Sequence, residues 1–99
     1  MTARRGLRAD YDRSVDVLYF FTGKSVPIEG DGLPGGVEID YSIASGEVCG
    51  VTVVGYVRNQ WPDKLNELAT IIAKYLAIDP ARSVGVIKRA VNNQGGPAA

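Results

Sequence analysis

Apolar and polar positions alternate near the start of the chain, with Leu7, Ala9 and Tyr11 separated by Arg8 and Asp10. A spacing of two puts the apolar side chains on one face of a half-buried strand. Asp12-Arg13-Ser14 follows as a turn, where short polar side chains satisfy nearby backbone groups. Val17-Leu18-Tyr19-Phe20-Phe21 is β-branched and aromatic and apolar on both faces, which calls for a central strand with cover on each side. Thr22-Gly23-Lys24 breaks that run. Val26-Pro27-Ile28 can supply at most a short edge segment, because Pro27 lacks an N–H for a ladder. Gly30-Asp31-Gly32-Leu33-Pro34-Gly35-Gly36 reads as a loop by composition. Beyond it, Val37, Ile39 and Tyr41 alternate with Glu38 and Asp40, and Ser45-Gly46-Glu47 turns the chain into Val48–Val54.

At Trp61-Pro62-Asp63 the period changes. Leu65, Leu68, Ala69, Ile72, Tyr75 and Leu76 recur at helical spacing, and Ile71 and Ile78 widen the stripe. Pro62 suits a first helical turn, and Asp63 complements the positive end of the helix dipole. Asp79-Pro80 ends this helix and caps a second one, in which Val84, Ile87 and Val91 share a face and Lys88 and Arg89 stand near the C-terminal end. Gly85 weakens that second helix, and a strand through Ser83–Ile87 is its alternative. The expected fold class is α+β: a small antiparallel β-meander of three to four strands packed against one long amphipathic helix, with a second short C-terminal helix. One domain spans residues 1–92, strand-rich over 7–54 and helical over 62–91, and residues 93–99 form a flexible tail.

Composition narrows function mainly by exclusion. The 99 residues carry 11 Lys+Arg against 11 Asp+Glu, no His and one Cys. Charge balance argues against an overall pull toward nucleic acid or an anionic membrane. Without His the commonest general base and zinc ligand are missing. The N-terminal stretch holds Arg4, Arg5 and Arg8 but no apolar run of signal-peptide length, and no segment approaches the ~20 apolar residues of a membrane helix. A cytoplasmic protein with no membrane partner is expected. The balance is uneven along the chain: residues 1–8 sum to +3, residues 9–50 to −6, residues 51–81 to zero and residues 82–99 to +3.

Motifs that look chemical fail on context. Gly30-Asp31-Gly32-Leu33-Pro34-Gly35 matches G-x-G-x-x-G, but a strand pattern follows it rather than the helix a pyrophosphate needs. Gly23-Lys24-Ser25 lacks the earlier glycine of a P-loop, and Pro27 forbids the helix. Asp10, Asp12, Asp16, Glu38 and Asp40 could gather on a polar sheet face and hold a hard cation, against a turn-forming and solvated role. Cys49 sits beside Gly50 in an apolar strand with no base nearby. The basic clusters Arg4/Arg5/Arg8 and Arg82/Lys88/Arg89 are too small to mark a nucleic-acid site. No catalytic, cofactor-binding or metal-ligating residue is nominated. Leu18, Phe20, Tyr56 and Trp61 are the interaction candidates.

Two segments carry a resemblance. Tyr11-Asp12-Arg13-Ser14-Val15-Asp16-Val17-Leu18-Tyr19-Phe20 resembles the Tyr-Asp-x-x-x-Asp-x-Leu-Tyr-Ile/Phe opening of the family known as domain of unknown function 2283. Gly36-Val37-Glu38-Ile39-Asp40-Tyr41-Ser42 and Gly46-Glu47-Val48-Cys49-Gly50-Val51-Thr52-Val53 are similar to that family's paired strands, so the likeness covers residues 7–54. Thr52 stands where the family often has Glu, and the Gly30–Gly36 stretch replaces a more acidic segment. The resemblance implies a small antiparallel sheet with helical cover, in small bacterial and archaeal proteins. It also implies an antitoxin-like partner role, and no catalytic residue or cofactor.

The sequence therefore leads to a non-enzymatic module that self-associates as a dimer or binds another small protein. Its motivation is that Val17–Phe21 is apolar on both faces while one helix covers only one, so the C-terminal segment or a second subunit must cover the other. The alternative is a small-ligand or divalent-metal-binding protein using the acidic sheet face or the Gly-rich loop.

Overall fold

The computed structural model describes residues 7–23 and 26–94. The fold is α+β: a five-stranded antiparallel sheet followed by two helices. The strands are β1 (Leu7–Asp12), β2 (Val17–Thr22), β3 (Ile28–Leu33), β4 (Val37–Ser42) and β5 (Val48–Val54). Their order in the sheet is β1-β2-β5-β4-β3. This is not the expected meander. The β1–β2 hairpin and the β3-β4-β5 meander are joined because β5 pairs with β2, with Leu18 opposite Val53 and Phe20 opposite Val51.

The fifth strand arises where a loop was expected. Ile28–Leu33 pairs residue by residue with β4, from Ile28 opposite Ser42 to Leu33 opposite Val37. An edge strand needs only backbone groups for its ladder, so Gly30, Asp31 and Gly32 can join it without an apolar pattern. The turn proper is confined to a 3-10 segment, Pro34–Gly36, in which Gly35 and Gly36 have φ of 82° and 80°. A Cβ on Gly35 would stand 2.5 Å from the Trp61 ring, and the Trp61 indole N–H donates 2.8 Å to the Gly35 carbonyl.

Strand alternation assembles the core on one face. Across the sheet, Ala9, Phe20, Val51 and Ile39 form one row, and Tyr11, Leu18, Val53 and Val37 form the next. A 3-10 turn, Trp61–Lys64, leads into α1 (Leu65–Leu76), which buries Leu68, Ala69 and Ile72 on this face. The second helix, α2 (Pro80–Gln94), has 15 residues and is longer than expected. Asp79 caps it through a 2.8 Å bond from the Ala81 N–H, and the Ser83–Ile87 segment is helical rather than extended. α2 packs against α1 and β1, so Val86, Ile87 and Ala90 join the same core. Both helices lie on one face. The expected tail overlaps the end of α2, and residues 95–99 lie outside the described residues. Among the described residues no helix is long and apolar enough to cross a membrane.

A single carboxylate ties the hairpin to the chain beyond β5. Asp16 takes a φ of 58° in the β1–β2 turn and accepts hydrogen bonds from the Tyr11 hydroxyl (2.7 Å) and the N–H groups of Val57 (2.9 Å) and Arg58 (3.0 Å). Burial raises the Asp16 carboxyl, but those two N–H groups, the Tyr11 hydroxyl and the charge of Arg58 outweigh it, leaving it below the ordinary value. Asp12 behaves as a turn residue should, accepting from the Ser14 N–H at 3.1 Å and the Ser14 hydroxyl at 2.6 Å.

Candidate binding face

The same alternation that buries one face displays a second set of side chains on the other. Two rows cross the five strands: Arg8-Phe21-Gly50-Asp40-Gly30 and Asp10-Tyr19-Thr52-Glu38-Gly32. No described helix lies across them, since α1 and α2 both pack on the opposite face. Four of the seven exposed large apolar side chains, Tyr19, Val26, Ile28 and Val54, belong to this open side or line its recess. The recess measures about 360 Å³ and is lined by Arg8, Tyr19, Phe21, Ile28, Asp40 and Thr52 among others.

Large and small residues are segregated across this face. β1 and β2 contribute Arg8, Tyr19 and Phe21, and the Arg8 guanidinium rests over the Phe21 ring at 5.4 Å. β3, β4 and β5 contribute two carboxylates and three glycines, with Thr52 between them and Ile28 and Val54 toward the ends. A Cβ at Gly50 would stand 2.6 Å from the Phe20 carbonyl oxygen and 3.5 Å from Asp40 Oδ2. A Cβ at Gly30 would occupy the space held by the Glu38 carboxyl. Glycine at 30 therefore makes room for the Glu38 carboxyl, and glycine at 50 for the Phe20 carbonyl of the neighbouring strand.

Asp40 is only 6% exposed. Its Oδ2 accepts a 2.8 Å hydrogen bond from the Thr52 hydroxyl, and its Oδ1 is buried with no hydrogen-bond donor among the described residues. A buried carboxylate oxygen without a donor is costly, and in folded proteins such a group usually marks a functional site or a missing partner. Burial, the charge of Asp40 and a hydrogen bond with Asp40 raise the Glu38 carboxyl above its ordinary value. The two acids thus share one corner of the open face. Burial and then the Asp40 charge also push up the Cys49 thiol, which keeps it in the poorly nucleophilic protonated form.

The interaction candidates drawn from sequence do not form this face. Leu18, Phe20, Tyr56 and Trp61 are all buried in the core between sheet and helices, so their side chains are not available to a partner. Tyr56 packs edge-on against Tyr11 at 5.5 Å, and Trp61 is held by Gly35 with the Lys64 ammonium 4.5 Å from its ring. Of the five acids, Asp10, Glu38 and Asp40 share the open face, but only Glu38 and Asp40 come together. Asp12 and Asp16 are used in the β1–β2 turn. Among the described residues no group of three His, Cys, Asp or Glu converges as a metal site would require. The Gly-rich stretch is β3 and its turn, with no helix N-terminus behind it. Lys24 and Ser25, and Arg4 and Arg5, lie outside the described residues, while Arg82, Lys88 and Arg89 are exposed on α2.

Tyr19, Phe21 and Arg8 were legible as alternate positions of their strands, but their grouping with Asp40 depends on the β2–β5 pairing. Gly30, on the strand beside β4, is the local signal that the Glu38 side chain needs that space. No protein-family model matches the chain, and no curated protein or solved structure shows significant similarity to it.

Proposed function

We propose that this chain is a non-enzymatic association module that pairs with a second copy through the open face of its sheet. The observation that carries the reading is the set of exposed apolar side chains, Tyr19, Ile28 and Val54, on a sheet face that neither helix covers. Exposed apolar surface left uncovered on a sheet face is the kind of surface that serves as an interaction site in soluble proteins. A closed two-fold dimer needs a patch that can meet its own copy, and exposed apolar side chains on a flat sheet face can do so. Two such sheets stacked face to face, about 10 Å apart, give a four-layer helix-sheet-sheet-helix body. The non-enzymatic part rests on the absence of His and on a Cys49 thiol held protonated, with no base to activate it.

Sedimentation equilibrium over a wide concentration range tests the pairing. The expected species is a reversible dimer at twice the 10.6 kDa chain mass, reduced to single chains by Tyr19→Asp with the fold retained. A mass of 10.6 kDa at every concentration up to the millimolar range overturns it. The recess volume of about 360 Å³ supports a second reading, a small cationic ligand seated at Asp40. That reading predicts saturable binding of a simple amine by a chain that stays monomeric.

A further inference from the structure

We infer that Glu38 and Asp40 share one proton across a carboxyl–carboxylate hydrogen bond, which makes their corner of the open face a pH-responsive device. The inference concerns the single chain and goes beyond the pairing proposed above, which it does not need.

The sheet brings the two side chains together. Residues 38 and 40 lie two apart on β4 and so share a face. Asp40 stands opposite Gly30 on β3, so a Cβ at residue 30 would be its direct cross-strand neighbour, about 4.5–5.5 Å from its own Cβ. The Glu38 carboxyl fills the place of that Cβ. It therefore lies beside Asp40 instead of reaching into water.

Asp40 needs a second donor, and the donor must come from within the chain. The residue is 6% exposed, so no group from outside reaches its buried Oδ1, and the Thr52 hydroxyl already serves Oδ2. The other residues around the corner are Cys49 and Gly50 on β5, Gly30 and Gly32 on β3, and Tyr19 on β2 beyond Thr52. None of them donates to Oδ1. Glu29 and Asp31 alternate to the opposite face of β3. On β1, Asp10 and Arg8 are three strand spacings from β4, about 14 Å across the sheet, and Arg8 rests over Phe21. As an anion Glu38 has no proton to give, but as an acid it has an O–H beside Asp40. One shared proton supplies the missing bond and leaves a single negative charge where two would repel. Burial and the neighbouring Asp40, which raise the Glu38 carboxyl above 4.5, act in the same direction.

Loss of the proton opens the corner. As the pH rises through the raised value, the proton passes to water and two carboxylates stand side by side. Asp40 is held by burial and by Thr52, so the part-buried Glu38 is the one that turns outward, off Gly30. Asp40 is then uncovered at the wall of the recess. The folded chain favours the protonated pair, so its stabilising contribution is complete below pH 4.5 and is lost as the pH rises through the raised value.

Carboxyl carbon NMR, followed from acid to neutral pH, tests the shared proton. The Glu38 Cδ resonance is expected to inflect above 4.5, and the Asp40 Cγ resonance to shift at the same pH. Asp40→Asn should move the Glu38 inflection back toward 4.5, with amide spectra showing a folded chain. Glu38→Gln gives Asp40 an amide donor that does not titrate, so the Asp40 step and the accompanying fall in urea stability should both disappear. If Asp40→Asn does not fold, wild type and Glu38→Gln decide. A Glu38 inflection at or below 4.5, or an Asp40 carbon silent at the Glu38 step, overturns the inference. An inflection that Asp40→Asn leaves unmoved also overturns it, because burial alone would then hold the proton.

Discussion

Thr52 on β5 donates a 2.8 Å hydrogen bond to Asp40 Oδ2 on β4, a carboxylate that is only 6% exposed. The contact joins adjacent strands on the open face, diagonally rather than in register, since Thr52 stands opposite Glu38 and Asp40 opposite Gly50. Asp40 is therefore held in place from the β5 side.

Thr52→Val keeps the shape and strand propensity of residue 52 but strips Asp40 of this donor. The expected loss is about 1–3 kcal/mol of unfolding free energy at neutral pH, the penalty for a buried acceptor left unsatisfied. Urea denaturation measures it. A loss within experimental error would mean that Asp40 is hydrated or paired in solution.

Tyr11 and Asp16 predict an alkaline signature. Burial, the hydrogen bond to Asp16 and the nearby Asp16 charge push the Tyr11 phenol up to about 12, from an ordinary 10.0. The folded state favours the protonated phenol, so this contribution to stability is complete below pH 10.0 and is lost as the pH rises through about 12. Stability differences between wild type and Tyr11→Phe, followed by urea titration, should shrink across that window. Asp16 behaves oppositely. Its lowered carboxyl stabilises the fold above its ordinary 3.8, and that contribution fades as the pH falls through the lower folded value.

Gly85 gives a test of local energetics independent of function. It lies inside α2, and a Cβ built there meets nothing within 4 Å. Gly85→Ala is expected to raise stability by about 1 kcal/mol, because helix entropy improves with no steric penalty. Thermal unfolding measures the gain, and a destabilised variant would show that the space beside residue 85 is filled in solution.

How much of this was legible depends on the distance over which each feature is decided. Alternation at Leu7–Tyr11 and Val37–Tyr41, and the helical stripe from Leu65 to Leu76, follow from backbone geometry within a few residues, so periodicity alone assigned them correctly. Asp79 announced the start of α2 for the same reason. The acids at 38 and 40 were recognisable as sharing a face, because two residues apart on a strand means the same side.

Strand order lay beyond local pattern. Val17–Phe21 shows that it needs apolar neighbours, but Val37–Tyr41 and Val48–Val54 offer equivalent ladders, and only the joint packing of Leu18, Phe20, Val51 and Val53 against α1 and α2 selects β5. β3 was hidden because an edge ladder uses N–H and C=O groups that every residue carries. The placement of both helices on one face, the burial of Tyr56 and Trp61 and the gathering of Arg8, Phe21 and Asp40 into one recess all depend on contacts between residues far apart in the chain. Short-range spacing specifies which side of a strand or helix is apolar. Which apolar sides meet, and which one is left uncovered, is settled only when all the faces compete for the same core.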